Sequence, residues 1–201
     1  MKLVKLDINK HDLNKVSELI YDTDAETFNF YFGNRQKTAP KILRIVKEND
    51  NSMGFKNIYV VTENGNNRTL GILVAYMASD YSLKSDIRTY FRALRPLDAL
   101  KFFIFDIIDH LILANLKYHD LYLAAVAVDE DFRGKGIGNF ILHSSLELAK
   151  DKRCKRVVLD VDLKNKGALY LYERFGFKIF HKKSIRWFNG EKGVYNMEYL
   201  M

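Results

Sequence analysis

Asp129-Glu130-Asp131-Phe132-Arg133-Gly134-Lys135-Gly136-Ile137-Gly138 is the stretch on which the fold turns. The apolar run Leu121 to Val128 leads into it, and the amphipathic segment Asn139 to Lys150 follows. A strand, a polar glycine-rich turn and a helix in that order build an anion site. The first amides of a helix lack intrahelical partners, and the helix dipole favours negative charge there. Gly134, Gly136 and Gly138 allow positive φ and let the backbone approach a ligand with no Cβ in the way. Arg133 and Lys135 add formal positive charge, and the combination points to a bound pyrophosphate.

The flanking segments extend the reading. Lys2 to Leu6 alternates as a short strand, and Asp12 caps a helix through Tyr21 with Leu13, Val16, Leu19 and Ile20 on one face. Tyr21 to Lys37 mixes rings with Asp22, Asp24 and Glu26, and Thr38-Ala39-Pro40 reads as the start of a helix ending near Glu48. Ile58 to Thr62 and Thr69 to Met77 are strand-like, with hairpin chemistry in Asn64-Gly65-Asn66-Asn67 between them. Residues 82–117 read as helical with a break at Arg95-Pro96, and Leu121 to Val128 as a strand covered on both faces. After the turn, Ile137, Ile141, Ser145 and Leu148 share a helix face. Arg156 to Val161 is the next strand, and Asn165 to Phe175 is a helix closed by Gly176. Phe177 to Phe188 and Val194 to Leu200 finish the chain as strands around a turn at Asn189 to Gly193. This order implies a mixed α/β sheet with helices on its faces, in one domain over residues 1–201.

The totals narrow the class. Among 201 residues, 28% are charged and 48% hydrophobic, an ordinary soluble globular composition with two prolines and no repeat or low-complexity tract. The net charge of +7 allows an anionic partner, but the basic residues are scattered apart from Lys150 to Arg156, which reads as a solvated helix terminus. No nucleic-acid motif is present. One cysteine forms no internal disulfide and fits a reducing, cytoplasmic compartment; Cys154 lies among cations that would lower its thiol pKa. The five histidines are far apart and no metal-ligand spacing occurs, so no metal is expected. The N-terminus lacks a signal-peptide core. The most apolar stretch, Phe102 to Leu116, is interrupted by Asp106, Asp109 and His110 and is too short for a membrane span. It reads as a buried helix or as a subunit contact, and the latter would make the chain a homodimer.

Arg133-Gly134-Lys135-Gly136-Ile137-Gly138 matches the (Arg/Gln)-x-x-Gly-x-(Gly/Ala) signature of the GNAT N-acetyltransferase superfamily. Downstream, Asn165-Lys166-Gly167-Ala168-Leu169-Tyr170-Leu171-Tyr172-Glu173-Arg174-Phe175-Gly176-Phe177 resembles that family's Asn-x-x-Ala-x-x-Leu-Tyr-x-x-x-Gly-Phe block. The two blocks stand in the expected order, and the match covers residues 120–182. The resemblance implies a GNAT-like fold with a largely antiparallel sheet, helices on both faces and a helical insertion over residues 82–117. It implies an acetyl-CoA-dependent N-acetyltransferase, with acetyl-CoA as cosubstrate and a small-molecule or peptide amine as acceptor.

By the same analogy, Val126, Ala127 and Val128 pair through their backbone with the pantetheine arm. The amides of Arg133, Gly134, Lys135, Gly136, Ile137, Gly138 and Asn139 hold the pyrophosphate, Asn165 adds a contact, and the thioester enters a gap between the two central strands. Direct attack of a neutral amine puts charge on the carbonyl oxygen, so a main-chain N–H near Ala127 or Val128 is a plausible stabiliser. Tyr172 stands where the family places the acid that serves the leaving thiolate; Tyr170 reads as packing. Asp120, Asp129 and Glu130 lie near the central strand, where acidic residues are usually solvated, and a water chain serves equally as base. Asp22, Asp24 and Glu26 with neighbouring rings would suit a cationic amine.

Two other classes stay open. A dinucleotide-binding protein would place its ribose at Asp160, but Gly-x-Gly-x-Gly is not Gly-x-Gly-x-x-Gly and a hairpin follows the unit. A non-catalytic module that senses acyl-CoA would keep the loop without the chemistry.

Overall fold

The structure is a computed structural model that describes residues 1–63, 67–187 and 190–201. Seven strands form one sheet in the order β1 (Lys2–Lys5), β2 (Ile58–Thr62), β3 (Thr69–Met77), β4 (Asp120–Val128), β5 (Arg156–Asp162), β7 (Gly190–Leu200), β6 (Lys178–Trp187). Each neighbouring pair is antiparallel except β4 and β5, which run parallel. The helices are α1 (Leu13–Thr23), α2 (Ala25–Phe32), α3 (Arg35–Lys47), α4 (Leu83–Ala93), α5 (Pro96–Ile112), α6 (Ile137–Asp151) and α7 (Lys166–Phe175).

Alternation along the strands feeds two cores. Ile58, Val60, Ile72 and Val74 meet α1 to α5 on one face, while Val61, Leu73, Leu121 and Val157 meet α6 and α7 on the other. The helices are capped as polar chemistry dictates. Asp12 accepts from the amides of Asn14 and Lys15, and Asn165 from the amide of Ala168. Gly176 closes α7 at φ 111°, left-handed backbone that suits glycine.

Several expectations are corrected. The helix expected to end at Tyr21 runs to Thr23, and a further helix, α2, follows within Tyr21 to Lys37 because Asp24 caps the Thr27 amide. The third helix starts at Arg35, not at Thr38, since Asn34 caps the Lys37 amide; Pro40 lies inside α3 and withholds an N–H from the Gln36 carbonyl. The helical stretch 82–117 stops at Ile112. On α6, Leu142 and Ala149 are buried and Leu148 is only half-buried. Gly190 to Gly193 belong to β7 rather than to a turn; the connection at 188–189, like Asn64, Gly65 and Asn66, lies outside the described residues.

The central strands part halfway. Val74 pairs with Ala125 and Ala75 with Leu123, so Ala124 is an extra residue in β4. The side chains record the slip. Leu121 and Leu123 point to the core under α6 and α7, whereas Ala125 and Ala127 point to the opposite core. Pairing of β4 with β5 ends at Leu123–Leu159, while β5 continues beside β7 to Asp162–Val194. Beyond Leu123, β4 keeps β3 on one side and, among the described residues, has no strand on the other. It is therefore covered on both faces only over Asp120 to Leu123; Ala124 is exposed and Ala125 to Val128 are half-buried.

A buried ion network fastens the closed end. Arg156 donates to both Asp120 oxygens at 2.8 Å, to the Asn115 carbonyl at 3.1 Å, and to Glu198. Arg156 is thus no part of a solvated basic terminus, and Asp120 is no solvated acid. Replacing Asp120 by Ala leaves a guanidinium buried with half its partners gone. Urea unfolding should show a loss of about 3–5 kcal/mol, and a loss below about 1 kcal/mol would contradict the role given to the pair.

Candidate active site

The glycine turn follows β4 through a 3-10 turn, Glu130–Phe132, capped by Asp129. Asp129 is buried and ion-paired to Lys15 of α1 at 2.6 Å, which ties the turn to the helical layer. Hydrogen bonds from Lys15 and the Asp131 amide hold its carboxyl below the ordinary value although burial opposes them. Asp129 is therefore a structural anchor, not a solvated acid, and Glu130 stays exposed. Phe132 carries the Arg68 guanidinium at 4.6 Å and the Lys135 ammonium at 4.8 Å over its ring. Lys135 also donates to the Asp131 carbonyl at 3.0 Å, and Arg133 donates through Nε to the Val128 carbonyl at 3.2 Å.

Gly134 and Gly136 have φ of 74° and 79°, and a Cβ added at either would meet nothing within 4 Å. Open space lies over this backbone. Gly136 is the N-cap of α6 and supplies no side-chain acceptor, so the first-turn amides are uncapped by any side chain. Gly138 serves differently from expectation: it is helical, and a Cβ there would lie 3.2 Å from Leu171 Cδ2, so it lets α6 and α7 approach. The Ile137 side chain is buried and Asn139 is exposed.

Antiparallel alternation fixes which β4 amides face the parted strand. The Asp129 amide donates to the Leu70 carbonyl, and Ala127 stands opposite Ile72. Residues two apart turn their backbone groups to the same neighbour, so Ala127 is committed to β3 and Val126 and Val128 face the gap.

A cavity of about 1410 Å³ opens along this gap. Val126, Ala127, Val128, Arg133, Asn165 and Tyr172 all contribute to its lining, whereas Gly134, Lys135, Gly136, Ile137, Gly138 and Asn139 do not. Tyr172 is buried, packs on Phe177 at 5.9 Å between ring centres, and its hydroxyl has no hydrogen-bond partner among the described residues. Burial pushes its phenol up to about 12. Tyr170 is exposed under Arg174 and is not a packing residue.

The opposite wall comes from α4 and α5, with Asp86, Tyr90, Asp106, Asp109 and His110. Asp106 accepts from Tyr90 Oη at 2.7 Å and has no cationic partner among the described residues; burial raises its carboxyl to about 8. Asp109 is raised to about 6 by burial, against the opposing pull of Lys192 at 3.0 Å. Asp86 is raised by burial and accepts from the Ser52 amide. The acids expected for the acceptor line the same cavity, each with a cation beside it. Asp22 pairs with Arg35, Asp24 with Lys192 and Glu26 with Lys164. Phe28 and Phe32 are core. Sequence reading missed the α4–α5 acids, although Asp106 and Asp109 inside an apolar helix were the available signal.

Other candidates are absorbed by structure. Asp160 accepts from the Ala114 amide, Tyr122 Oη and Asn196, so it offers nothing to a ribose. Cys154 is buried 3.4 Å from Met77 Sδ, and burial raises its thiol rather than the neighbouring cations lowering it. Among the described residues no group of three or more His, Cys, Asp or Glu side chains could hold a metal, and no helix is long and apolar enough to cross a membrane.

Comparison with known proteins agrees with this geometry. The model of the acetyltransferase (GNAT) family matches residues 21–177. An uncharacterised N-acetyltransferase of Methanocaldococcus jannaschii is 34% identical over 109 residues, 49% of this chain and 48% of that protein. The spermine/spermidine N(1)-acetyltransferase of Bacillus subtilis is 37% identical over 73 residues, covering 36% of this chain and 46% of its own. The matches thus span about half the length of these relatives. Among solved structures, an N-acetyltransferase from Staphylococcus aureus Mu50 superposes with a TM-score of 0.74 at 17% identity, covering 99% of this chain and 100% of that one. Together with the uncapped glycine turn and the parted central strands, the match over residues 21–177 shows that the chain belongs to the GNAT acetyltransferase family.

Proposed function

We propose that this protein transfers an acetyl group from acetyl-CoA directly to a primary amine on a small polycation. The observation that carries the reading is the end of β4–β5 pairing at Leu123–Leu159, which opens a cavity lined by Val126, Val128, Arg133 and Tyr172, with the uncapped start of α6 three residues after Arg133. In this reading the amides from Arg133 to Asn139 hold the pyrophosphate, with Arg133 balancing its charge. The pantetheine arm adds to β4 as a short strand through the backbone of Val126 and Val128, with Ala127 as a side-chain wall. Asn165 stays the N-cap of α7 and borders the cleft.

The neutral amine attacks the thioester carbon, a C–N bond forms, and the carbonyl oxygen takes the negative charge. A main-chain N–H facing the gap, at Val126 or Val128, stabilises that oxygen; Ala127 is excluded because its amide belongs to the β3 ladder. Collapse breaks the C–S bond and releases the CoA thiolate, while the amine's proton passes to water. Tyr172 serves that thiolate. A phenol near 12 stays protonated at neutral pH, so the donor form is always present. Its pKa lies well above that of a thiol at about 8.5, so it acts chiefly as a hydrogen-bond donor to the developing charge.

The acceptor reading rests on the α4–α5 wall. In a chain of net charge +7, carboxylates turned into a cavity without a cation of their own suit a ligand that brings one. Asp106 is the main such group, and the B. subtilis relative named for spermine and spermidine agrees with it. The alternative acceptor is an α-amine, after the name of the Xenopus laevis N-alpha-acetyltransferase 30, 41% identical over 56 residues that cover 28% of this chain and 20% of that protein.

Two measurements test the proposal. Tyr172→Phe should lower kcat by about a hundredfold or more while calorimetry shows CoA binding unchanged; wild-type turnover would remove Tyr172 from the chemistry. As pH rises through about 8, Asp106 loses its proton and the wall gains charge, so KM for a polyamine should fall, and Asp106→Asn should abolish that fall. The sign for folding is opposite. A carboxyl raised in the folded state contributes most below its unfolded value near 3.9, and the contribution is lost up to about pH 8. Thermal midpoints should decline over that range, less steeply in Asp106→Asn. A polyamine KM independent of pH in both proteins would contradict the acceptor assignment.

A further inference from the structure

Lys192 is a cation built into the acceptor cavity. It stands near the start of β7, and its side chain is only 14% exposed. Its Nζ lies 3.0 Å from Asp109 of α5, 3.6 Å from Asp24 at the N-cap of α2, and 5.3 Å from the centre of the Phe105 ring. Asp24, Phe105, Asp109 and Lys192 all line the cavity. Two carboxylates and a ring face around one nitrogen are the chemistry that recognises a primary alkylammonium, and here the chain supplies that group itself. Lysine is seldom buried, because ordering its stem and desolvating its charge both cost free energy. One turn earlier on α5, Asp106 lines the same cavity and accepts from Tyr90, with no cation beside it among the described residues. Residues three apart on a helix have Cβ atoms about 5–6 Å apart, roughly the span of three or four methylenes between two nitrogens. α5 thus offers two neighbouring ammonium sites, one filled from within and one open.

We infer, on the strength of the amine acceptor proposed above, that Lys192 is a specificity-determining residue: its ammonium fills one of the two sites and so limits how many charges the acceptor brings. With Asp109 and Asp24 occupied, the wall holds one ammonium, at Asp106, and a second nitrogen of the same molecule is left neutral for attack. A diamine satisfies that arrangement. A triamine brings a further ammonium, which meets the charge of Lys192 where a carboxylate would otherwise hold it. Methionine at this position keeps the apolar stem without the ammonium, and turns one open site into two. Arginine keeps the cation and the preference that goes with it.

Steady-state transfer at saturating acetyl-CoA, with diaminobutane, bis(aminopropyl)amine and bis(hexamethylene)triamine as acceptors, tests this. In Lys192→Met, kcat/KM for bis(aminopropyl)amine relative to diaminobutane should rise about tenfold, through KM and with kcat unchanged. The nitrogens of bis(hexamethylene)triamine are too far apart for the two sites, so it should not share the rise. Lys192→Arg should keep the wild-type ratio. An unchanged ratio in Lys192→Met would overturn the inference, and so would an equal rise for both triamines, which would mark a general gain of negative charge in place of a site at Asp109. Transfer to none of these amines by the wild type would take down the acceptor reading and this inference with it, whereas transfer in a ratio insensitive to residue 192 overturns the inference alone. If Lys192→Met loses its circular dichroism, Lys192→Met combined with Asp24→Asn leaves one charge fewer uncovered and carries the same comparison.

Discussion

One extra residue, Ala124, shapes the centre of this molecule. With Asp120 to Leu123 clamped to β5 and fastened by Arg156, the bulge turns the rest of β4 away from its parallel neighbour. The cost of such a parting is a row of backbone groups with no strand to satisfy them. Val126 and Val128 present those groups to a cavity instead of to β5. In the proposed function, a substrate arm with amide groups of its own adds to β4 in place of the missing strand, beside the Val128 carbonyl that Arg133 already holds. The ion network and the bulge thus work as a pair, one holding the strands together and the other separating them.

Charge is distributed with the same economy. The end proposed for the donor has backbone amides at an uncapped helix start, with Arg133 and Lys135 beside them, where an anion is favoured. Across the cavity Asp86 is buried and Asp106 and Asp109 are half-buried, and all three hold their protons above the ordinary carboxylate range. In the proposed function, cofactor and acceptor therefore meet surfaces of opposite character on the two sides of one cleft. Lys192 is shared between Asp109 and Asp24, whereas Asp106 has no cation beside it among the described residues.

What was legible in the chain was local. The glycine turn and the Asn165–Phe177 block each lie within one turn or one helix, where spacing alone fixes geometry, and the strands flanking them follow from apolar runs. The bulge was not legible. Leu121 to Val128 is equally apolar whether or not a strand lies beside its second half, so coverage on both faces was expected and only half of it is present. Gly138 looked like Gly134 and Gly136, yet its role is to admit Leu171. Asp22, Asp24 and Glu26 were legible as a group because they are adjacent in sequence, and all three line the cavity. Each has a cation brought from a distant segment, while Asp86 and Asp106 join the cavity from separate helices.

Residue-resolved hydrogen exchange in the presence and absence of CoA tests the central claim most directly. If the thioester arm replaces the missing strand, the amides of Val126, Val128 and residues 134–139 become protected on binding, while Ala127, already bonded to β3, does not change. Protection confined to Ala127, or no change anywhere along β4 at saturating CoA, would contradict the account.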